Sequence, residues 1–186
     1  LLDGCNPFFY NSLKATLYSV VLNVPATIIF SFLLALLLNR NIKGRALFRG
    51  IFYMPSIIPI VASCMIWQYL LNPDLGLANS ILKSLELSKS MWLYDEKSVI
   101  PTLVLTNLWN CGSTMVIFLA GLQNIPRHYY EAVEVDGGNS LHKLIYITIP
   151  MVSPVLFYNA VMCAITSFQA FDKAYILTEG GPNNAS

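Results

Sequence analysis

The positions of the charged residues constrain this chain more than any other feature. All 11 Lys/Arg and all 10 Asp/Glu side chains lie outside four windows, at 15–39, 50–73, 98–126 and 144–171. Each window exceeds the roughly 20 apolar residues that a helix needs to cross a bilayer, and a charge at mid-membrane would cost about 2.5–3.5 kcal/mol on insertion scales. The pattern predicts an all-α, polytopic membrane protein with spans at about 15–39, 50–71, 99–122 and 145–171.

Composition supports a membrane protein and excludes other classes. The chain is 55% hydrophobic and 11% charged, whereas soluble domains have about 25% charged residues. A net charge of +1 gives no basic excess that would attract nucleic acid. The four cysteines have no metal-like spacing and are expected to pack as small apolar residues. Because the chain begins with leucine, we expect residues 1–186 to be one transmembrane domain truncated at both ends.

Loop charge predicts the orientation of the spans. Loops 40–49 and 127–143 are the denser positive side, and short loops rich in Lys/Arg stay in the cytoplasm. Their six basic residues are Arg40, Lys43, Arg45, Arg49, Arg127 and Lys143. Loops 40–49 and 124–143 are therefore predicted to be cytoplasmic and both chain ends external. If the parent protein has cytoplasmic ends, it has at least six spans.

Prolines and polar side chains interrupt the apolar windows. Pro25, Pro55, Pro59, Pro101 and Pro154 each remove a backbone donor and tend to kink a helix. The polar residues are Asn23, Asn107, Asn110, Ser113, Thr114, Asn159, Thr166, Ser167 and Gln169. Singly, each is expected to form an interhelical hydrogen bond worth about 1 kcal/mol or less. Their concentration in the third and fourth windows favours a polar cavity.

The external segment 72–97 is too long for a tight turn. Leu77, Ile81, Leu82 and Leu85 have helical spacing, which predicts a short amphipathic helix lying on the outer face. Trp92 is expected at interface depth together with Tyr94. The segment is thus predicted to form an external cap.

Segment 124–143, between the third and fourth windows, is too patterned for a plain linker. Pro126 suits a first helical turn, and Gly137 and Gly138 can end that helix in a left-handed conformation. Asn139 or Ser140 can cap the next helix. The apolar residues that this arrangement would expose in water are Tyr130, Ala132, Val133 and Val135. A surface of this kind predicts either a protein-docking element or an amphipathic hairpin on the lipid surface.

The same segment carries a recognisable motif. Residues 130–138 read YEAVEVDGG and are followed by ITIP at 147–150 and by Pro154. This closely resembles the cytoplasmic coupling motif of bacterial ABC importer permeases, E-A-A-x-x-x-D-G with a downstream I-x-L-P-x-x-x-P. The departures are Val133 at the second alanine and Gly138 where alanine is usual.

Further stretches resemble the carbohydrate-uptake branch of that family, the maltose and glycerol-3-phosphate type. They read NRNIKGRALFR at 39–49, YMP at 53–55, IW at 66–67, NPDLGLAN at 72–79, FLAGLQNIP at 118–126, SFQAFD at 167–172 and LTEGGP at 177–182. The resemblance therefore covers nearly the whole chain.

The resemblance implies a mechanism and a set of partners. It implies a second permease subunit, two cytoplasmic ATPase subunits that bind ATP and magnesium, and an extracytoplasmic solute-binding protein, with no cofactor in this chain. The coupling segment would seat on the ATPase: Glu131 for a charged contact, Ala132 for close packing, Asp136 for a cap or hydrogen bond, and Gly137 for the turn. A sugar or oligosaccharide would then cross by alternating access.

The resemblance also implies a substrate path. Aligned positions are Trp109, Asn110, Ser113, Ser167, Ala170 and Phe171. An aromatic ring beside amide and hydroxyl groups suits a neutral polyol. From their spacing, Trp109, Asn110 and Ser113 are expected on one face within a single turn. Ala170 offers no polar contact, so this chain either touches the sugar directly or only lines the cavity.

Two alternatives remain open at this stage, and the sequence argues against a third, an intramembrane enzyme. One is an ATPase-independent gated channel or membrane scaffold, in which segment 124–143 has no partner. Another is a permease for a non-sugar solute such as glycerol-3-phosphate, although charge-free spans favour a neutral sugar. An intramembrane enzyme would need paired carboxylates or histidines at membrane depth. His128 and His142 are instead expected to be solvated loop residues, and no Walker-type or G-x-S-x-G motif occurs in the sequence.

Overall fold

The fold is a helical bundle whose long helices are partly continuous and partly broken. A computed structural model describes residues 7–40, 43–95, 98–169 and 171–178. The α-helices are α1 Pro7–Asn39, α2 Arg45–Tyr53, α3 Ile60–Leu70, α4 Leu77–Ser84, α5 Val99–Leu108, α6 Gly112–Gln123, α7 Arg127–Val135, α8 Ser140–His142, α9 Ile149–Phe168 and α10 Phe171–Thr178. Two 3₁₀ turns, Met54–Ile57 and Trp92–Tyr94, and a π-helical segment, Lys143–Thr148, complete the fold.

The four predicted spans take two forms. Ser12–Asn39 and Ser140–Phe168 are single helices long and apolar enough to cross a membrane. The other two regions are helix pairs, bent by 100° between Arg45–Ile57 and Ile60–Leu70 and by 52° between Val99–Leu108 and Gly112–Gln123. Within the described residues the fold therefore has up to four spans, if each bent pair counts as one. The regions predicted as spans at 50–71 and 99–122 therefore both depart from the expected single helix.

The bends have local causes that only partly follow the prolines. Ile58 precedes Pro59 and is extended (φ −68°, ψ 131°), as the clash of a proline ring with the preceding residue requires. The 52° bend contains no proline: tight i→i+3 bonds, from the Asn110 amide to the Asn107 carbonyl and from the Cys111 amide to the Leu108 carbonyl, replace the α-helical pattern there.

The remaining prolines lie in helices without breaking them. Pro101 lies in the first turn of α5, where its missing amide hydrogen has no intrahelical partner to lose. Pro25 and Pro154 lie inside α1 and α9, which continue past them. The expectation that each proline tends to kink its span stays a prediction at these three positions, where the helix is not interrupted.

Two apolar clusters hold the bundle together. The larger joins α1, α6 and α9 around Ala35, Met115, Phe118 and Val152, all at most 1% exposed. The Phe118 ring meets the Phe32 ring edge-on, with centroids 5.4 Å apart, a geometry favoured between aromatic rings. The smaller cluster packs α3, α5 and α10 beneath the external segment; its buried members are Cys64, Leu71, Leu93, Val99, Ile100, Leu103 and Leu177.

The external segment folds into a cap, as its amphipathic pattern predicts, with α4 as the short helix. Asn79, only 4% exposed, organises the cap. Its Nδ2 donates to the carbonyls of Pro73 and Ser90, both at 2.9 Å, and its Oδ1 accepts from the Trp92 indole at 2.9 Å. Such a fully satisfied buried amide fixes the loop in one conformation.

Candidate functional site

The first candidate site is the glycine-broken segment between α6 and α9. Helix α7 ends at Val135 with Asp136 as its C-cap, and Gly137 follows in the left-handed conformation (φ +76°). The Gly138 amide donates to the Val133 carbonyl at 2.8 Å, and the Gly137 amide donates to the Glu134 carbonyl at 3.1 Å. These two bonds form a Schellman motif, which satisfies carbonyls that the end of the helix leaves free. The chain thus reverses direction at the glycine pair, as the sequence predicts.

The next helix begins immediately after the break. Asn139 is its N-cap, and its Oδ1 accepts from the Leu141 and His142 amides, both at 3.0 Å. The His142 ring reaches back to the Asn139 amide at 3.3 Å, which completes a capping box. Helix, break and helix therefore form one hydrogen-bonded elbow, which we call the elbow (residues 124–143).

Two contacts connect the elbow to the base of α9. The Tyr130 hydroxyl lies 3.1 Å from the Thr148 hydroxyl, and Thr148 also donates to the Lys143 carbonyl at 3.1 Å across the π-helical segment. Lys143 also forms an ion pair with Glu134. Since the Glu134 side chain is 62% exposed, this pair adds little stability. Tyr130 is half-buried, so its contact is the stronger constraint on how α7 sits.

The predicted coupling residues lie on the outer surface of the elbow. Glu131, Ala132, Asp136 and Gly137 are all exposed, and Val135 is 88% exposed. Asp136 is the C-cap of α7, and its amide donates to the Ala132 carbonyl at 3.0 Å. Within the described residues its carboxylate makes no hydrogen bond near the glycines. Tyr130 and Val133 also depart from expectation, because they are half-buried and turned inward rather than displayed. The exposed apolar surface is narrower than predicted.

The two departures from the family motif lie against each other. A Cβ added at Gly138 would be 2.4 Å from Val133 Cγ1 and 2.9 Å from the Val133 carbonyl oxygen, well inside contact distance. Valine at 133 therefore occupies the space that an alanine side chain at 138 would need. The larger residue at 133 and the smaller residue at 138 therefore compensate for each other in volume, and we call Val133 and Gly138 the matched pair.

The second candidate site is a polar cavity of about 340 Å³ between α1, the α5–α6 bend and α9. Its polar lining comes from all three regions: Asn23, Thr27, Asn107, Asn110, Ser113, Thr114, Tyr158, Asn159, Thr166 and Ser167. Ile117, Met162 and Cys163 supply the apolar part of the wall. Most of the polar residues that interrupt the apolar windows thus come together, which confirms the cavity that their concentration predicts.

Part of this polar lining is satisfied internally. The Asn23 amide donates to Ser167 Oγ at 2.7 Å, and Thr27 donates to Asn23 Oδ1 at 3.5 Å. Two buried atoms of the lining have no partner within the described residues, Asn110 Oδ1 and Asn159 Nδ2. One is an acceptor and the other a donor, the pair of functions that a hydroxyl group complements. Leaving each unpaired costs about 1–3 kcal/mol.

The structure separates the residues that the family alignment placed together. Asn110, Ser113 and Ser167 line the polar cavity. Trp109 does not: it lines a second, apolar cavity of about 400 Å³, where its ring meets Trp67 edge-on at 5.6 Å. The prediction that Trp109 shares a face with Asn110 and Ser113 is therefore wrong, because the helix bends at these residues.

Other predicted and unpredicted lining residues can also be placed. Phe171 begins α10 and its side chain is outside the described part, as is Ala170. Tyr158, which is 52% exposed, is the aromatic residue that lines the polar cavity, and the alignment did not select it. Thr27 was also missed, because a threonine in an apolar window usually bonds its own helix.

A buried lysine lies close to this cavity and was not predicted. Lys173 on α10 is only 7% exposed, and its Nζ donates to Asn107 Oδ1 at 2.7 Å. Burial lowers the pKa of Lys173 from 10.5 to about 8, with the charge interaction with Cys64 opposing the shift. No sequence pattern pointed to this burial, because Lys173 follows Asp172 just beyond a window and resembles a loop residue.

Comparison with known proteins identifies the class. The profile of the family described as "Binding-protein-dependent transport system inner membrane component" matches residues 27–185. The chain therefore belongs to this family of polytopic inner membrane permeases, a class of transport proteins.

Individual relatives agree with this assignment. The chain is 40% identical over 178 residues to the probable ABC transporter permease protein YesP of Bacillus subtilis, covering 94% of the chain and 57% of YesP. It is 34% identical over 180 residues to the trehalose/maltose transport system permease protein MalF of Thermococcus litoralis, covering 96% of the chain and 61% of MalF. The chain thus spans less than two thirds of these relatives.

A solved structure shares the fold. It is a bacterial ABC transporter involved in the import of the acidic polysaccharide alginate, with a TM-score of 0.80 and 24% sequence identity. The match covers 93% of this chain and 65% of that chain. At this identity the likeness establishes the arrangement of helices and nothing about substrate.

Proposed function

We propose that this chain is the membrane-spanning core of the permease subunit of a binding-protein-dependent ABC importer for a sugar or oligosaccharide. In this proposal it works with a second permease, two cytoplasmic ATPase subunits and an extracytoplasmic solute-binding protein. The chain itself holds no cofactor, and ATP with magnesium binds to the ATPase. Loops 40–49 and 124–143 face the cytoplasm. The named relatives are sugar permeases or probable permeases, which supports the solute class.

The observation that carries the proposal is a continuous helix that joins the two candidate sites. Ser140–Phe168 runs without a break; its first residues belong to the elbow, and Asn159 and Ser167 line the polar cavity. From Thr148 to Asn159 the distance is about 16 Å at 1.5 Å per residue. A displacement of the elbow would thus be transmitted to the cavity wall by a rigid element, as coupled transport requires.

The chemistry of the cavity favours a polyhydroxylated solute. Among the described residues, its lining contains no acidic or basic side chain, so hydroxyl and amide groups would do the binding. The unpaired Asn110 acceptor and Asn159 donor are groups of the kind that solute hydroxyls complement. Several hydroxyl and amide groups around a bound sugar would orient it without a net charge in the lining.

The exposed part of the elbow supplies the energy-coupling surface. Ala132 and Val135 lie within one turn of each other on α7 and are exposed, and Glu131 lies beside them with its carboxylate free for a charged contact. Gly137 and Asp136 stand at the end of the helix, where a cleft on the ATPase would receive them. This arrangement supports a docked joint over a channel or scaffold, neither of which needs such an elbow.

The test uses the complete importer reconstituted in proteoliposomes, with ATP hydrolysis and sugar uptake measured together. We expect Glu131→Ala and Gly137→Asp to abolish substrate-stimulated ATPase activity and uptake while leaving assembly intact. Glu134→Gln is the matched control, since Glu134 is an exposed acid on the same helix whose ion pair lies within the elbow. Normal coupled uptake in both test variants would remove the proposal and favour the channel or scaffold.

A further inference from the structure

The feature that the proposed function leaves unexplained is the buried Lys173. Its side chain lies where α10 folds back against α3, an arrangement fixed by the bond from Gln68 Nε2 to the Ile176 carbonyl at 2.8 Å. Leu177 beside it is buried in the apolar cluster that contains Cys64 and Leu103. An ammonium group is thus placed in apolar surroundings, away from the solvent that normally stabilises it.

Burial of a lysine is costly unless an opposite charge is present. Moving an ammonium group out of water costs several kcal/mol even after the protein relaxes, and buried charges are normally paired. Among the described residues the only ion pair joins Lys143 and Glu134. Lys173 therefore has a neutral partner, the Asn107 amide oxygen, and its charge is unmatched within the described part of the chain.

The unmatched charge lies one side chain from the polar cavity. Asn107 lines that cavity, and because its Oδ1 accepts from Lys173, its Nδ2 is left to donate elsewhere. The ammonium therefore has two effects on a bound solute: it orients the Asn107 amide as a donor, and it contributes a positive potential. Because Lys173 is itself only 7% exposed, its potential is screened less than that of a solvated lysine.

We propose that Lys173, acting with Asn107 at the edge of the polar cavity, makes this permease selective for saccharides that carry a negative charge. The ligand class is an acidic sugar or oligosaccharide, whose hydroxyl groups meet the neutral lining and whose anionic group faces the side of Asn107. This proposal rests on the proposed function and specifies its substrate class. It replaces the expectation of a neutral sugar drawn from charge-free spans, because the charge comes from α10, beyond the end of the last span.

The charge is present under ordinary conditions. With a pKa of about 8, the ammonium form outnumbers the neutral amine about tenfold at pH 7. Among the described residues, no carboxylate forms an ion pair with Lys173. The anionic group of a solute is then the available counter-charge.

The experiment offers the complete importer a mixed pool in place of one chosen sugar. Proteoliposomes receive ATP and equal amounts of galactose oligomers and galacturonate oligomers of matched length, and mass spectrometry measures the lumenal ratio of acidic to neutral sugar. All proteins share the same solute-binding protein, so differences between variants arise in the permease. We expect the wild-type ratio to exceed one and to fall about tenfold in Lys173→Met, while Lys173→Arg retains it.

A second variant tests the charge without removing the lysine. Asn107→Asp places a carboxylate within reach of Lys173, and the resulting ion pair cancels the potential while retaining the fold. We expect the lumenal ratio of acidic to neutral sugar in this variant to fall below that of the wild type, as it does in Lys173→Met. Lys83→Met, an exposed lysine on α4, is the matched control and should leave the ratio unchanged.

The outcomes separate this inference from the proposed function. Import of neutral sugars alone by the wild type, or an unchanged ratio in Lys173→Met and Asn107→Asp, overturns the inference and leaves the sugar importer standing. Import of neither sugar class overturns both. Glu96→Gln and Glu179→Gln, at positions outside the described residues, test whether an acid of the same chain supplies the counter-charge; a ratio shifted upward in either would overturn the assignment of that role to the solute.

Discussion

The pairing of Val133 with Gly138 predicts a non-additive mutational effect. In Gly138→Ala the new Cβ would lie 2.4 Å from Val133 Cγ1 and 2.9 Å from the Val133 carbonyl oxygen. The first contact can be relieved only by moving the valine, and the second only by lengthening the bond from the Gly138 amide to that carbonyl, now 2.8 Å. Overpacking of this kind costs about 1–3 kcal/mol.

The overpacking lowers the free energy needed to open the elbow locally, so its effect should be measured on this segment. A loss of 1–3 kcal/mol raises the open population about 5- to 150-fold. Hydrogen–deuterium exchange of peptides covering 124–143, in the assembled importer, should show faster exchange of the amides at the helix end by that factor. Sugar-stimulated ATP hydrolysis is measured on the same samples, and we expect it to decrease.

The double variant decides whether the reasoning is right. Val133→Ala removes Cγ1, so Val133→Ala/Gly138→Ala should recover more than half of the protection lost in Gly138→Ala, with an interaction free energy of about 1 kcal/mol. Recovery should be incomplete because the backbone contact remains. If the two single effects simply add, the two positions do not share space in the working protein and the matched-pair explanation fails.

Three further predictions follow from individual contacts. Tyr130→Phe removes the hydroxyl contact with Thr148, worth about 1 kcal/mol. The variant should take up less sugar per ATP hydrolysed, while its binding of the solute-loaded binding protein is unchanged. An equal ratio of uptake to ATP hydrolysis in the variant and the wild type would contradict this prediction. Asn159→Leu removes an unpaired buried donor, so the permease should be more stable by about 1 kcal/mol in a detergent unfolding assay, and sugar uptake should fall. A stable variant with full uptake would exclude Asn159 from the path. The pKa of Lys173 in the folded protein is about 8, below its ordinary 10.5, so the cost of burying the ammonium is complete below pH 8 and is relieved as the pH rises toward 10.5. Over that window the stability of the wild type should increase relative to Lys173→Met by at most about 3 kcal/mol. A constant stability difference between pH 7 and 9.5 would refute the shift, and Cys64 is present in both proteins.

The sequence predicted features that depend on local composition or local backbone geometry. A charge-free window and a glycine pair act through solvation and through allowed φ angles, and neither needs information from distant residues. The left-handed Gly137 and the Asn139 cap are therefore found where the sequence places them. The polar cavity was predicted as a group property, since many buried polar groups in lipid must face one another or water.

The sequence could not predict which side chains share a surface across a break in a helix. Trp109 and Asn110 are neighbours, yet one packs against Trp67 in the apolar cavity and the other lines the polar one. Helical spacing assigns faces only while the phase continues, and the tight turns after Asn107 change the phase within three residues. The bend itself contains no proline, so no local sequence signal predicts it.

Lys173 shows why charge patterns alone were insufficient for the substrate path. A lysine beyond the last apolar window is normally solvated, and that expectation holds unless the following helix folds back onto the bundle. Here α10 does fold back, because Leu177 joins the cluster around Cys64 and Gln68 holds the Ile176 carbonyl. The charge reaches the edge of the polar cavity by tertiary packing of a segment that lies outside the predicted membrane spans. A permease of this architecture can therefore keep every span free of charge, as insertion favours, and still place a cation beside its cavity.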